Sequence, residues 1–192
     1  MAATFNWCED HGAATGSPAK GTTRDGFGAS TNYALNCNWK TADDTNVTAH
    51  SAAAIGPPPD NSYEKFQYLK ITGSFTSVSA MKWTCHANRA ALSFPVPDSP
   101  YVKLMGQVTG QYTTPSRSLN SSLLTDFTKQ VWAHQGLPVR FSPTGPEGTT
   151  ADTLSAAGYT QYLVSQLQIS NAGLGIVESI EDLVVAVVWS ET

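Results

Sequence analysis

Apolar and polar residues alternate with a two-residue period along most of this chain, the pattern of strands that bury one face. The last third is the most apolar. There Tyr159-Thr-Gln-Tyr-Leu-Val-Ser-Gln-Leu-Gln-Ile169 sets Leu163, Leu167 and Ile169 on one phase and Tyr162, Val164 and Gln166 on the other. Leu183-Val-Val-Ala-Val-Val-Trp189 is nearly all Val and too short to cross a membrane, so it predicts a strand covered on both faces. With Asn171-Ala-Gly-Leu-Gly175 between them, the two runs predict an antiparallel pair at the hydrophobic centre. Upstream, Ala3, Phe5 and Trp7 alternate with Thr4 and Asn6 in a first short strand, and Tyr33, Leu35, Cys37 and Trp39 share one face of a second. Two further strands, Tyr63 to Phe75 and Val78 to Cys85, predict a hairpin turning between Gly73 and Ser79. In the first, Phe66 and Tyr68 face away from Leu69 and Ile71; in the second, Met81, Trp83 and Cys85 are in phase.

Val102, Leu104, Gly106, Val108, Gly110 and Tyr112 continue the alternation, and the in-phase glycines predict bends or a close backbone approach. Leu123, Phe127 and Val131 recur every four residues, so Leu119 to Trp132 is the one helical candidate, with a strand over Phe127 to Trp132 as its alternative. Val139-Arg-Phe141 predicts a short strand before the turn Pro143-Thr-Gly-Pro-Glu-Gly148. Glu9 to Ser30 is small and polar and predicts a long loop or arm, and Ile55-Gly-Pro-Pro-Pro-Asp60 excludes both helix and central strand. The expected architecture is mainly β: an N-terminal strand and extended arm over residues 1–30, then one antiparallel sandwich or jelly-roll-like domain over 31–192, with at most one short helix.

Composition narrows the class. The 192 residues suffice for one core, and only 14% are charged, with abundant Gly, Pro, Ser, Thr and Asn as in β-rich extracellular or virion proteins. Lys plus Arg number 11 against 15 acidic residues, a net charge of −4 with no basic run, which argues against a nucleic-acid partner. No basic segment followed by an apolar stretch opens the chain, so synthesis in a cytoplasm is expected. Cys8, Cys37 and Cys85 then read as free, buried thiols.

Candidate chemistry is sparse. His11, His50, His86 and His134 are scattered. Cys8-Glu-Asp-His11 with Cys85-His86 offers zinc-type ligands without zinc-type spacing. There is no Gly-x-Ser-x-Gly elbow and no phosphate-binding fingerprint. Asp43 with Asp44, and Glu178 with Glu181 and Asp182, could pair as glycosidase carboxylates, but each cluster sits in an apparent turn, where acids are solvated. Trp7, Trp39, Trp83 and Trp189 fall on apolar phases and read as core rather than as a sugar platform; Trp132 is undecided. No catalytic, cofactor-binding or metal-binding residue is nominated, no cofactor is expected, and a non-enzymatic protein is the reading.

Several segments carry a resemblance. Asp25-Gly-Phe-Gly-Ala-Ser30, Asn38-Trp-Lys-Thr-Ala-Asp-Asp44 and Asn61-Ser-Tyr-Glu-Lys-Phe-Gln-Tyr-Leu-Lys-Ile-Thr-Gly-Ser-Phe75 resemble small β-rich virion proteins of tailed bacteriophages. So do Val108-Thr-Gly-Gln-Tyr-Thr-Thr-Pro115, Gly145-Pro-Glu-Gly148 and Ala157-Gly-Tyr-Thr-Gln-Tyr-Leu-Val-Ser-Gln-Leu-Gln168. The connection Leu174-Gly-Ile-Val-Glu-Ser-Ile-Glu-Asp182 departs from the group by being more apolar than a simple Gly or Ser turn. The resemblance implies a shell or tail component. Among such roles a capsid decoration or cement protein is expected, located in the virion, with the major capsid protein or other virion proteins as partners and self-association into a symmetric oligomer. A neck or tail adaptor and a receptor- or carbohydrate-binding module, the latter needing Trp132 or Tyr112 exposed, are the alternatives. Neither nucleic acid nor membrane is an expected partner.

Overall fold

A computed structural model describes residues 2–15, 20–25, 39–43, 59–87, 102–123, 125–126, 136–169 and 183–192. Within them the chain is a mainly β, sandwich-like domain of two antiparallel sheets, with no helix among the described residues. The larger sheet contains β1 (Ala3–Thr15), β2 (Lys20–Asp25), β4 (Lys65–Gly73), β6 (Val102–Thr109) and β12 (Tyr162–Ile169), in the order β2-β1-β4-β12-β6. Four short strands complete it: β3 (Asp60–Asn61), β9 (Phe141–Ser142), β11 (Gly158–Thr160) and, at the edge beyond β6, β7 (Thr125–Asp126). The smaller sheet sets β5 (Val78–Ala87) between β13 (Leu183–Glu191) on one side and β8 (Leu137–Pro138) and β10 (Thr153–Leu154) on the other.

Strand alternation places two different cores on the two faces of the larger sheet. Odd positions of β4 and β12 and even positions of β6 give Leu69, Ile71, Leu163, Leu167 and Leu104 to the inner face, where they meet Val78, Met81 and Trp83 of β5. Trp7 of β1 and Trp83 close this layer from opposite sheets, ring centroids 5.0 Å apart. The opposite phase gives Cys8, Phe66, Tyr68, Tyr162 and Val164 to the outer face, together with Tyr112 and Leu123 from an irregular strap over residues 110–123. The opposite phases expected for Phe66/Tyr68 and for Leu69/Ile71 are those found.

Four expectations are corrected. The apolar runs of the last third are both strands, yet they do not pair: β12 lies between β4 and β6, and β13 pairs β5 in the other sheet. Alternation fixes which residues share a face but carries no label for the neighbouring strand. Tyr63–Phe75 and Val78–Cys85 likewise form no hairpin, because the chain leaves one sheet at Gly73 and enters the other at Val78. Gly73 has φ +95°, and a Cβ there would stand 2.6 Å from the carbonyl oxygen of Ala2, so only glycine fits this crossing.

The segment from Glu9, expected as a loop or arm, continues β1 and pairs with β2 from Cys8↔Asp25 to Thr15↔Lys20. Backbone ladder bonds hold it, which residue propensity did not signal. Of the helical candidate, residues 119–123 are turn and irregular chain and Thr125–Asp126 is β7, paired with Gly106 and Met105; the rest of it lies outside the described residues. The expected strand over 32–38 is also outside them.

Trp189 is the fourth correction, since it is 45% exposed rather than core. It stands opposite a bulge in its partner strand: β5 spends three steps between Ser79 and Lys82 where β13 spends two between Ser190 and Val188. Ala80, at φ 52°, takes up the extra residue, and Trp189 is left over Phe5 at a centroid distance of 4.5 Å.

Candidate functional site

Polar side chains are concentrated around β1. Glu9 and Asp10 are neighbours in sequence and point to opposite faces, as strand geometry requires. Both are buried. On the inner side Glu9 accepts from Lys65 Nζ at 2.9 Å and from Gln67 Nε2 at 3.4 Å. This ion pair is almost fully enclosed, with both side chains 4% exposed. Nearby in the ladder, the Trp39 indole donates to Ser165 Oγ at 3.2 Å, and Ser165 pairs with Lys65.

On the outer side Asp10 accepts a short hydrogen bond from the Tyr162 hydroxyl. Two residues on, Gly12 takes φ +84°, and the β1–β2 register shifts between His11 and Thr15. This irregularity frees backbone groups from the ladder. Gly12 N–H donates to Asp43 Oδ2 at 2.7 Å, its carbonyl accepts from the Tyr112 hydroxyl at 2.6 Å, and Ala14 N–H donates to Thr114 Oγ1 at 2.9 Å. Glu147, from the turn expected at 143–148, accepts from Tyr112 N–H at 2.9 Å.

The rings stack beneath. Phe66 lies edge-on to Tyr112 and Tyr162 at 4.8 and 5.7 Å, and Tyr68 to Tyr162 at 5.5 Å. Burial first, and then the surrounding carboxylates, holds both phenols well above their ordinary range: Asp43, Asp10, Glu9 and Glu147 act on Tyr112, and Asp10 and Glu147 on Tyr162. Both therefore remain protonated donors at any ordinary pH. In this cluster three buried polar atoms have no hydrogen-bond partner: Asp10 Oδ1, Asp43 Oδ1 and His11 Nε2.

The strap is anchored by a second polar group. Glu64 accepts from Ser116 N–H at 3.0 Å and from the Asn120 side-chain amide. Buried Gln166 Nε2 reaches the carbonyls of Ser62, Ser116 and Ser118, at 3.1, 3.4 and 2.9 Å, while its Oε1 accepts from Asn120 N–H at 3.1 Å.

Of the residues weighed in the sequence, Cys8, His11 and Asp43 come near this cluster. Cys8 is a buried thiol on the outer face of the larger sheet, while Cys85 and His86 belong to β5 of the other sheet. Among the described residues no three His, Cys, Asp or Glu side chains converge as a metal-binding group. Tyr112 is only 1% exposed, which removes it as a glycan-stacking ring. His50, His134, Trp132, Asp44, Glu178, Glu181 and Asp182 lie outside the described residues. Asp10, Tyr162 and Glu64 were not singled out from the sequence; the available signal was the phase that Asp10 shares with Cys8. No helix among the described residues is long and apolar enough to cross a membrane. No protein-family model, curated protein or solved structure matches the chain.

Proposed function

We propose that this chain is a non-enzymatic structural protein of a phage virion, a capsid decoration or cement protein that binds the assembled shell. The observation that carries the reading is the β1–β2 hairpin: pairing of β1 with β4 ends at Asp10↔Phe66, while its pairing with β2 continues to Thr15↔Lys20. A two-stranded extension anchored in a sandwich suits a protein that must reach a neighbouring subunit. The low charge and the sequence resemblance support the same reading. The partner is the major capsid protein or another virion protein, and self-association into a symmetric oligomer belongs to the proposal.

Deleting residues 1–30 would remove β1 from the sheet, so the test is gentler. Thr15 and Lys20 are joined by a two-residue Asn-Gly turn in place of residues 16–19, and binding to empty capsids is measured beside circular dichroism. A folded variant with reduced occupancy supports the proposal, and undiminished occupancy removes the hairpin from it. Copy number in purified particles tests the role directly. Scores to hundreds of copies support the shell, about a dozen moves the protein to the neck or tail, and absence from particles ends the virion reading.

A further inference from the structure

We propose that Asp10 and Asp43 together bind a hard divalent cation, Ca2+ or Mg2+, beside the bulge at Gly12. This inference does not rest on the virion reading.

Asp10 is 1% exposed and receives a single hydrogen bond, from Tyr162; its Oδ1 has no partner. Asp43 receives a single bond, from Gly12 N–H, and its Oδ1 is likewise buried without a partner. The two acids meet the same stretch of β1: Asp43 is held by the N–H of Gly12, whose carbonyl accepts from the Tyr112 hydroxyl, and Asp10 is two residues before Gly12 on the same strand. The Tyr112 ring is 6.0 Å from that of Tyr162, the donor to Asp10. Glu147, bonded to Tyr112 N–H, adds a further negative charge, while Lys65 is engaged by Glu9 on the opposite face of the sheet.

A buried carboxylate without a counter-charge is costly, and buried charges are normally paired or bound to metal. The bonds already made orient Oδ2 of each acid and leave each Oδ1 free to ligate. Among the described residues no third His, Cys, Asp or Glu joins them in a metal-binding group, and two carboxylates do not make a zinc site. They do suit an oxygen-seeking cation that completes its shell with water or backbone carbonyls.

The test uses the full chain stripped with EDTA. Thermal unfolding and isothermal titration are run with CaCl2, with MgCl2 and with NaCl at matched ionic strength. Binding of one equivalent of either divalent ion, with a Tm that rises with its concentration, is expected. Asp43→Asn keeps an acceptor for Gly12 N–H, and Asp10→Asn keeps one for Tyr162. Each is expected to weaken affinity about tenfold or more while leaving the metal-free Tm unchanged or higher. Saturable binding by neither ion, or variants that bind as tightly as the wild type, would overturn the proposal. Should both variants fail to fold, the wild-type titration alone decides.

Discussion

The two faces of the larger sheet are closed by different physics. The inner face is covered by a second sheet, with Leu69, Ile71, Leu104 and Leu163 packed on Met81 and Trp83, and the enclosed Glu9–Lys65 pair lies on the same side. The outer face is covered by a strap without regular structure, whose own backbone must be satisfied by side chains: Glu64 and Gln166 hold residues 116–120 and Glu147 holds Tyr112, while Asp43 holds Gly12 at the bulge and Asp10 takes the Tyr162 hydroxyl. Apolar area stabilises the first in proportion to surface removed from water. Stability of the second depends on complete pairing, because each buried polar group left unmatched costs more than a satisfied one contributes. The inner face should therefore fail through cavities, and the outer face through lost partners and altered protonation.

Substitutions on the two faces separate these modes. The largest effect is expected from Trp83→Ala, which empties the contact with Trp7 and should cost about 3–5 kcal/mol in denaturant unfolding, with little change in pH dependence. Gln166→Ala leaves carbonyls of the strap unmatched. A loss of about 1–3 kcal/mol is expected, with faster amide exchange at Asn120, whose N–H it holds; unchanged exchange there would mean that the strap is fixed by packing.

Tyr162→Phe should cost about 1–2 kcal/mol at neutral pH, since Asp10 loses its donor. It also tests protonation. Both phenols are raised by burial in the fold, so their contribution is complete below the ordinary phenol pKa of about 10 and is lost as pH rises above it, by about 1.4 kcal/mol per unit per phenol. The variant should lose stability roughly half as steeply in that alkaline range, and equal slopes would show that these phenols do not govern it. The smallest effect is expected at the surface pair Arg140–Asp152, whose side chains are 52% and 86% exposed: Arg140→Ala should change stability by less than about 1 kcal/mol.

The same contrast explains what could be read from sequence. In β4 the phases of Phe66, Tyr68, Leu69 and Ile71 were legible because both faces are packed with large side chains. The hairpin beyond Glu9 was not, because Gly12, Ala13, Ala14 and Thr15 carry little apolar pattern and are held by backbone pairing. Glu9 and Asp10 fell in the stretch expected as a loop or arm, since burial of a carboxylate depends on partners such as Lys65 and Tyr162 that are remote in sequence. Trp189 misled for a local reason. It stands opposite the residue that β5 adds at Ala80, and an alanine at positive φ gives no glycine signal for the bulge. The partnering of β12 and β13 was beyond reach because both are apolar enough to suit either sheet.

The division of β4 and β5 between sheets also bears on synthesis. Pairing of β13 with β5 joins Val78–Ala87 to Leu183–Glu191, and Ala3 N–H is bound by Glu191 Oε1, 188 positions away. Met81 and Trp83 must therefore wait for nearly the whole polypeptide to emerge from the ribosome before their strand gains this neighbour. A nascent chain stalled before Leu183 would display them unprotected, and chaperone recruitment should peak at those lengths and subside once the final strand has docked.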